Sequence, residues 1–311
     1  MESITLTGTG EQIKARLENI RSIEPILIAL RTIALSSLRA ALERLENVNL
    51  YHAQLVQVLM LALAHLPQHE SPAARRRSER CALLIVGSQR GLCGPFSSTI
   101  VDASEETLRE LRAAGMEVEV MVLGEHGRRE ARRRGLETAW EGALPVTSVP
   151  PFGMAADLAA TGLRRYEAGE LDAFYATYNH YLGAGRYEPR TVTLIPFTLS
   201  GTGKLAGTVS PPDHLKEEDP AWPPPVVETD ADSLYDRVTT QLTELSFYQV
   251  LLGSAAAEQF SRFQLMEGAS QNSRRLIEEL TLAYHTARQE AVTEEVLELA
   301  ASAGLIRGEG R

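Results

Sequence analysis

The sequence predicts an α/β protein in which a long antiparallel α-helical coiled coil, formed by the N- and C-terminal helices, accompanies a central Rossmann-like α/β domain. Apolar residues recur at about 3.5-residue steps in two long stretches, the spacing of helices that pack on each other. Between these stretches, aliphatic strand-like runs alternate with helical ones, as in βαβ units. The predicted segments are an N-terminal helix at 1–67, a linker at 68–80, the α/β domain at 81–207, a proline-rich acidic loop at 208–230 and a C-terminal helix at 231–311.

The first helix is predicted over residues 11–66 from an apolar stripe that begins at Ile13 and continues to Val48. Pro25 interrupts the stripe, and because proline removes a backbone hydrogen bond we expect a bend there. Two helices of about 50 and 70 residues would extend roughly 75 to 100 Å. We therefore expect them to pair as a hairpin that projects beyond the α/β domain.

The central segment begins with the aliphatic run ALLIV at 82–86, followed by Gly87, Ser88, Gly91 and Gly94. This pattern predicts a buried parallel strand, a tight turn and then a helix that is capped by Ser97 or Ser98. Further strands are predicted at 118–123, 173–178 and 191–195, and helices at 104–113, 127–134 and 154–168.

The last helix combines an apolar stripe with a distinctive set of polar residues. The stripe consists of Leu276, Leu280, Ala283, Ala287, Ala291 and the Val296/Leu297 pair. Within two turns Arg288, Gln289, Thr293 and Glu295 supply a guanidinium, an amide, a hydroxyl and a carboxylate. Such a set can hydrogen-bond a polar partner surface, and it can equally be a solvated helix face.

The segment 263–304 resembles the C-terminal helix of the gamma subunits of F-type ATP synthases. The family's turn Ala-Thr-Asp-Asn-Ala and its runs Leu-Thr-Leu-x-Tyr-Asn, Ala-Arg-Gln and Ile-Thr-x-Glu are matched here by ASQNS from Ala269, LTLAYH from Leu280, ARQ from Ala287 and VTEE from Val292. Several matches at fixed spacing rarely arise by chance. Nearer the N-terminus, the family's Ser-Asp-Arg-Gly-Leu-Cys-Gly-Gly is matched except at Gln89 and Pro95 by the run from Ser88 to Pro95.

The resemblance implies a central-stalk rotor subunit that has no active site, metal or cofactor of its own. Such a subunit couples ion translocation through the membrane ring to ATP synthesis or hydrolysis in the alpha-beta hexamer. The implied partners are the alpha, beta and epsilon subunits and the membrane c-ring. The implied location is the cytoplasmic face of the inner (plasma) membrane, peripheral through the complex.

The resemblance also assigns roles to individual residues. Glu228 lies where gamma subunits approach the membrane ring and epsilon, although Val227 replaces the family's tyrosine. A structural turn without chemistry of its own is assigned to Arg90, Gly91, Cys93 and Gly94. Contact with a loop of the beta subunit is assigned to Arg288, Gln289, Thr293 and Glu295.

Departures from the family concentrate in the first helix. Where the family places lysines, this chain has Glu18, Pro25, Ile28 and Ser37. In the family those cations face acidic loops of the beta subunits, and each exposed pair that is lost removes only about 0 to 1 kcal/mol. Their loss suggests an alternative function, a gamma-like coiled-coil scaffold or regulatory paralogue that transmits no torque.

Composition and weaker motifs limit the other functions. A net charge of −10 over 311 residues argues against a sequence-independent nucleic-acid binder. The N-terminus is polar, and the longest apolar run, 55–66, is too short to cross a bilayer, so we expect no signal peptide and no transmembrane segment. Cys81 and Cys93 are expected to be free thiols.

Enzyme motifs are incomplete. The stretch SGTGKL at 200–205 lacks the first glycine of a P-loop, where Thr198 stands, and Leu205 replaces the magnesium-binding hydroxyl. No Gly-x-Ser-x-Gly elbow occurs. His126 and His180 are expected to be surface or partner-contact residues. The arginines between 128 and 134 are either a solvated helix face or a site for an anionic partner.

Overall fold

The computed structural model describes residues 10–65, 79–146, 149–183, 185–197 and 228–302. The predicted α/β class with long terminal helices is confirmed. Most of the linker at 68–80, most of the loop at 208–230 and the SGTGKL stretch lie outside the described residues. Within them the elements are α1 (Gly10–His65), β1 (Arg80–Val86), α2 (Phe96–Ala113), β2 (Glu117–Leu123), α3 (Glu125–Arg133), β3 (Trp140–Gly142), α4 (Phe152–Glu167), β4 (Ala173–Gly183), β5 (Arg186–Ile195) and α5 (Ala231–Ser302).

The strands form one sheet in the order β3-β2-β1-β4-β5. β1 runs parallel to both neighbours, so that Leu84 pairs with Met121 of β2 and with Ala176 of β4. β3 continues the parallel arrangement, and β5 returns antiparallel to β4. Parallel strands need helical crossovers that cover both faces, which explains why β1 is buried and apolar from Cys81 to Val86.

Alternate residues of β1 build the two cores of the sheet. Leu83 and Ile85 pack with Ile100 and Leu108 of α2 on one face. Leu84 and its neighbours on the other face pack with α4 and α5. Because successive side chains in a strand point to opposite faces, one aliphatic run supplies both cores.

Two features of the region after β1 differ from the prediction. α2 begins at Phe96, directly after Pro95, and Pro95 makes no side-chain cap hydrogen bond. The predicted cap by Ser97 or Ser98 is therefore wrong, because both residues lie inside the first turn. The Ser97 hydroxyl instead lies 2.8 Å from the Ser88 hydroxyl. The three-residue strand β3 was not predicted, since so short a run has no detectable alternation.

The chain divides into two compact units, and the terminal helices pair within each. In the unit formed by residues 1–33 and 263–311, Arg31 Nη1 donates to Glu267 Oε2 at 2.6 Å and Arg274 Nε donates to Glu24 Oε1 at 2.9 Å. The later residue of α1, Arg31, pairs with the earlier residue of α5, Glu267, so the two helices are antiparallel. Ile13 and Leu17 pack on Leu280 in this unit.

The second unit, residues 34–262, contains the sheet and the remaining parts of both long helices. Leu38 and Ala41 pack on Ala256 and Phe260. Further along α1, Leu55 and Leu59 pack with Val238, Leu242 and Leu245 of α5. The antiparallel pairing of the two terminal helices is thus present in this unit as well.

α1 continues through Pro25 as a single helix. By length and composition it could also cross a membrane, since one 18-residue window has a mean hydropathy of 1.5. The expectation of no transmembrane segment came from the length of consecutive apolar runs, whereas this window is defined by its mean hydropathy. Buried core helices pass the same test, but this window is not one of them, since only 17% of it is buried.

Candidate partner-binding site

The four polar residues assigned to a partner contact share one face of α5. Arg288, Gln289, Thr293 and Glu295 are all exposed. At 3.6 residues per turn they fall within an arc of about 160°, roughly opposite Leu280 and Ala287. The helix therefore turns its packed side toward α1 and this polar face away from it.

These side chains make few hydrogen bonds or ion pairs within the described residues. The Thr293 hydroxyl donates to the Gln289 carbonyl at 2.8 Å, a bond within the helix. Within the described residues, Arg288 and Glu295 form no ion pair. His285 and Val292 complete a shallow groove of about 550 Å³ along Arg288, Gln289 and Thr293. The groove offers a planar donor, an amide and an apolar contact to a partner.

The apolar stripe of α5 ends earlier than predicted. Ala287 is the last stripe residue to pack on the Ile13 and Leu17 cluster. The expected burial of Ala291, Val296 and Leu297 is wrong, since Val296 is 58% and Leu297 54% exposed. Among the described residues, the cluster around Ile13 and Leu17 includes no residue of α5 beyond Ala287. The last turns of α5 consequently expose both apolar and polar residues.

Glu228 lies before the start of α5 in the compact unit formed by residues 34–262, whereas Arg288 belongs to the other unit. Glu228 is exposed and precedes the first residue of the helix by three positions. Asp230 caps the helix, accepting hydrogen bonds from the Ser233 amide at 3.0 Å and hydroxyl at 2.9 Å. These bonds lower the pKa of the Asp230 carboxyl.

The predicted turn after β1 is a tightly bonded structure. Cys93 is 1% exposed, and its thiol donates to the Ser88 hydroxyl at 3.4 Å. Burial raises the pKa of this thiol, so the reactive thiolate is disfavoured. Arg90 is exposed, and Gly94 has φ 58, a left-handed conformation suited to glycine.

Gln89, which departs from the family, has a clear role. Its Oε1 accepts from the Leu144 amide at 2.7 Å and from the Glu125 amide at 3.4 Å. The side chain thereby ties the turn after β1 to the start of α3 and to the segment after β3.

Sequence reasoning missed a buried ion pair on α5. Arg262 Nη2 donates to Glu258 Oε1 at 2.6 Å, and Glu258 is only 8% exposed. The pKa of the Glu258 carboxyl is raised because the effect of burial outweighs that of the Arg262 and Arg90 guanidiniums, which lower it. The available signal was a Glu and an Arg four residues apart within the apolar run AAAEQFSRF.

The basic helix α3 is neutralised by nearby acids. Arg132 Nη2 lies 3.0 Å from Glu141 Oε1, and Arg134 Nη1 lies 2.6 Å from Asp102 Oδ1. Hydrogen bonds from Thr138 and the arginines outweigh the effect of burial and lower the pKa of Glu141. An anion would have to displace these carboxylates, so the solvated-face interpretation is favoured over an anion site.

The two histidines lie deeper than expected. His126 is partly buried beside Gly91, and its Nδ1 has no hydrogen-bond partner among the described residues. His180 is partly buried, with Nδ1 3.2 Å from the Tyr178 hydroxyl. Burial, aided by Arg190, lowers the pKa of His180 and favours the neutral ring.

Comparisons with known proteins cover nearly the whole chain. A family model described as ATP synthase matches residues 9–304. An ATP synthase gamma chain from Ralstonia nicotianae is 26% identical over 302 residues, covering 97% of this chain and 100% of the relative. One from Chromobacterium violaceum is 28% identical over 306 residues, covering 96% and 100%.

Solved structures agree on the fold. The central stalk and c-ring structure of the Tetrahymena thermophila mitochondrial ATP synthase contains a chain with a TM-score of 0.54 at 22% identity, covering 79% of this chain and 99% of that one. A chain of the Euglena gracilis mitochondrial ATP synthase rotor has a TM-score of 0.54 at 15% identity, covering 91% and 98%.

Proposed function

Because this chain belongs to the ATP synthase gamma family, we propose that it is the central-stalk rotor subunit of an F-type ATP synthase. The observation that carries this conclusion is a match to the family along residues 9–304, which includes both long helices and the sheet. The chain supplies no active site in this role. It couples ion translocation to ATP synthesis or hydrolysis by mechanical linkage, in which binding energy shifts the state of each catalytic site.

The partner-binding face of α5 is proposed to contact a loop of the beta subunit. Arg288 would donate charge-assisted hydrogen bonds to acidic or carbonyl oxygens of that loop. Gln289 and Thr293 would add an amide and a hydroxyl, and Glu295 a carboxylate. Support comes from their exposure on one face and from the freedom of Arg288 within the described chain.

The start of α5 is proposed to lie toward the membrane ring and the epsilon subunit. Glu228 is exposed there and would contact the ring or epsilon, with the acidic Asp230 cap close by. The complex would place the chain at the cytoplasmic face of the inner (plasma) membrane. Its attachment to the membrane would be through the alpha, beta and epsilon subunits and the c-ring.

Replacing Arg288 and Gln289 with alanine tests the proposed beta contact. Alanine favours helix, and neither side chain packs on α1, so α5 should remain folded. ATP turnover or its coupling to ion transport should then fall in the assembled complex. The matched control replaces Gln271 and Arg275, exposed residues of the same two types on the same helix, and should leave both unchanged.

Co-purification separates this function from the alternative. A rotor subunit isolates with alpha and beta subunits, whereas a gamma-like scaffold or regulatory paralogue isolates with other proteins. Normal assembly and coupling of the Arg288 and Gln289 double variant would argue against the beta contact.

A further inference from the structure

The carboxyl end of the central strands is covered by α5. Ser88 follows β1, Asn179 lies in the adjacent strand β4, and both are fully buried. In open α/β sheets this position, where chain connections diverge from neighbouring strands, is the usual ligand crevice. Here Ala257 of α5 packs on Cys93 and Phe96 in its place. The chain has filled the crevice with one of its own helices.

The backbone of the turn after β1 is shaped to meet that helix. Leu92 has φ 62, a left-handed conformation rare for a branched side chain, yet its side chain is 57% exposed. The carbonyls on either side of it both accept from α5. The Ser261 hydroxyl donates to the Cys93 carbonyl at 2.7 Å, and Arg262 Nη2 reaches the Gly91 carbonyl at 3.5 Å. Backbone strain at this residue is thus matched to contacts with α5 and not to packing of Leu92.

Arg262 is itself held in place by two residues of its own helix. Its Nη2 donates to Glu258 Oε1 at 2.6 Å, and its Nη1 donates to Gln259 Oε1 at 2.9 Å. Arg90 of the turn adds a second positive charge near Glu258. The Glu258 carboxylate also accepts a hydrogen bond from the Gln89 backbone, so Glu258 and Arg262 each contact the turn as well as each other.

We propose that Glu258, Ser261 and Arg262 form a joint with the turn 88–94 that locks α5 to the sheet against slipping. The inference rests on the proposed rotor function and concerns how torque passes within the chain. The joint lies within the compact unit formed by residues 34–262, near the middle of α5 (Ala231–Ser302). Glu258 and Arg262 are positioning residues, because they contact no substrate.

Stability alone is a poor explanation of the pair. A buried ion pair repays little more than the desolvation of its charges, and well-packed apolar residues of similar volume often serve as well or better. Glu258 and Arg262 lie on the same helix, so a change of register between α5 and the turn would leave their pair intact. It would instead break the contacts that each residue makes with the turn, Glu258 with the Gln89 backbone and Arg262 with the Gly91 carbonyl. This distinction between stability and register supplies the test.

The decisive variant is Glu258→Met with Arg262→Met, studied in the complete ATP synthase reconstituted in vesicles. Methionine fills similar volume without charge, so we expect the purified chain to unfold at an unchanged midpoint. The ratio of ATP-driven ion uptake to ATP hydrolysis should fall severalfold. The matched control is Arg275→Met with Glu279→Met, an exposed pair with the same spacing on the same helix, which should leave the ratio unchanged.

A cross-link provides the rescue. Ala257→Cys in the double-methionine background places a thiol against Cys93, and oxidation should then restore the ratio until a reductant is added. Peptide mapping identifies the disulfide, and Ser261→Cys replaces Ala257→Cys if no cross-link forms. Arg262→Lys, which keeps the charge but loses one arm of the fork, should give an intermediate ratio even if the methionine variant folds poorly.

Three results would overturn the joint: wild-type coupling in the methionine variant, a formed cross-link that restores nothing, or wild-type coupling in Arg262→Lys. Failure of the rotor function itself appears earlier and separately, because the unaltered chain would then not assemble with alpha and beta subunits.

Discussion

Leu92 adopts a left-handed backbone, φ 62, at a position where glycine would be unstrained. Relieving this strain is worth about 1–2 kcal/mol, and the added freedom of glycine in the unfolded chain costs about 0.4–1 kcal/mol. We therefore expect Leu92→Gly to leave the free energy of unfolding unchanged or raise it by about 1 kcal/mol. Urea unfolding of the purified chain measures the change.

The matched control is Leu92→Val. A β-branched side chain tolerates a left-handed backbone less well than leucine does, so this variant should unfold at lower urea. If Leu92→Gly proved clearly destabilising, the exposed leucine side chain would have to make a contact of its own.

The two thiols provide a second residue-scale prediction. Burial, with the nearby Asp172 charge, raises the pKa of Cys81 to about 11, and both cysteines are free. The unfolded chain ionises this thiol at lower pH than the folded one, so its contribution to stability is present below about pH 9 and is lost as pH rises toward 11.

Alkylation at pH 8 should be slow in native protein and fast in denaturant. A stoichiometric Cys81–Cys93 disulfide in unreduced native protein would contradict this view.

Among the elements, α1 is unusual because a proline lies inside it. Pro25 is exposed and the helix continues past it. An interior proline costs up to about 3 kcal/mol relative to alanine. Pro25→Ala should therefore raise the free energy of unfolding and the melting temperature, whereas the exposed control Glu18→Ala should change them little. A lower melting temperature for Pro25→Ala would mean that the helix depends on a bend there.

The charges that α1 retains are partly committed to α5. Arg31 bonds Glu267 at 2.6 Å, and Arg21 reaches the Thr281 hydroxyl at 3.5 Å. These arginines are less available to an acidic partner than free lysines would be. Ile28 and Ser37, which replace lysines of the family, further reduce the positive charge that α1 presents to a partner.

Elements with strong local patterns could be predicted from the sequence. β1 was evident from five consecutive aliphatic residues, and α5 from apolar residues at helical spacing such as Leu276 and Leu280. The start of α2 was not, because the role of Ser97 depends on Ser88 across the turn. The Glu258–Arg262 pair was also missed, since only tertiary packing reveals that it is buried.

For the molecule as a whole, the end of α5 should be dispensable for folding. The exposed residues beyond Ala287 pack little on the described chain. A chain that ends at Ala287 should keep the unfolding free energy of the full chain within about 0.5 kcal/mol. A chain that ends at Glu279 loses Leu280 and Tyr284, which pack with Ile13 and Leu17, and should be less stable. Equal losses in both would show that the tip contributes to the fold.

The partner-binding face of α5 could be predicted only in part from the sequence. Motif spacing identified Arg288 and Gln289, and the structure adds that both face away from α1. Spacing could not show where burial of the α5 stripe ends, because that depends on which part of α1 lies opposite.

The ion pairs of α3 determine the electrostatic field that an approaching molecule meets near this helix. Five arginines and five carboxylates stand side by side there, so their charges sum to zero. The field of such a neutral array falls off faster than that of a single charge, and beyond a Debye length of about 8 Å little of it remains. A partner would therefore sense this helix only at contact, through shape and hydrogen bonding. Its docking there would depend weakly on ionic strength, despite a segment whose sequence is conspicuously basic.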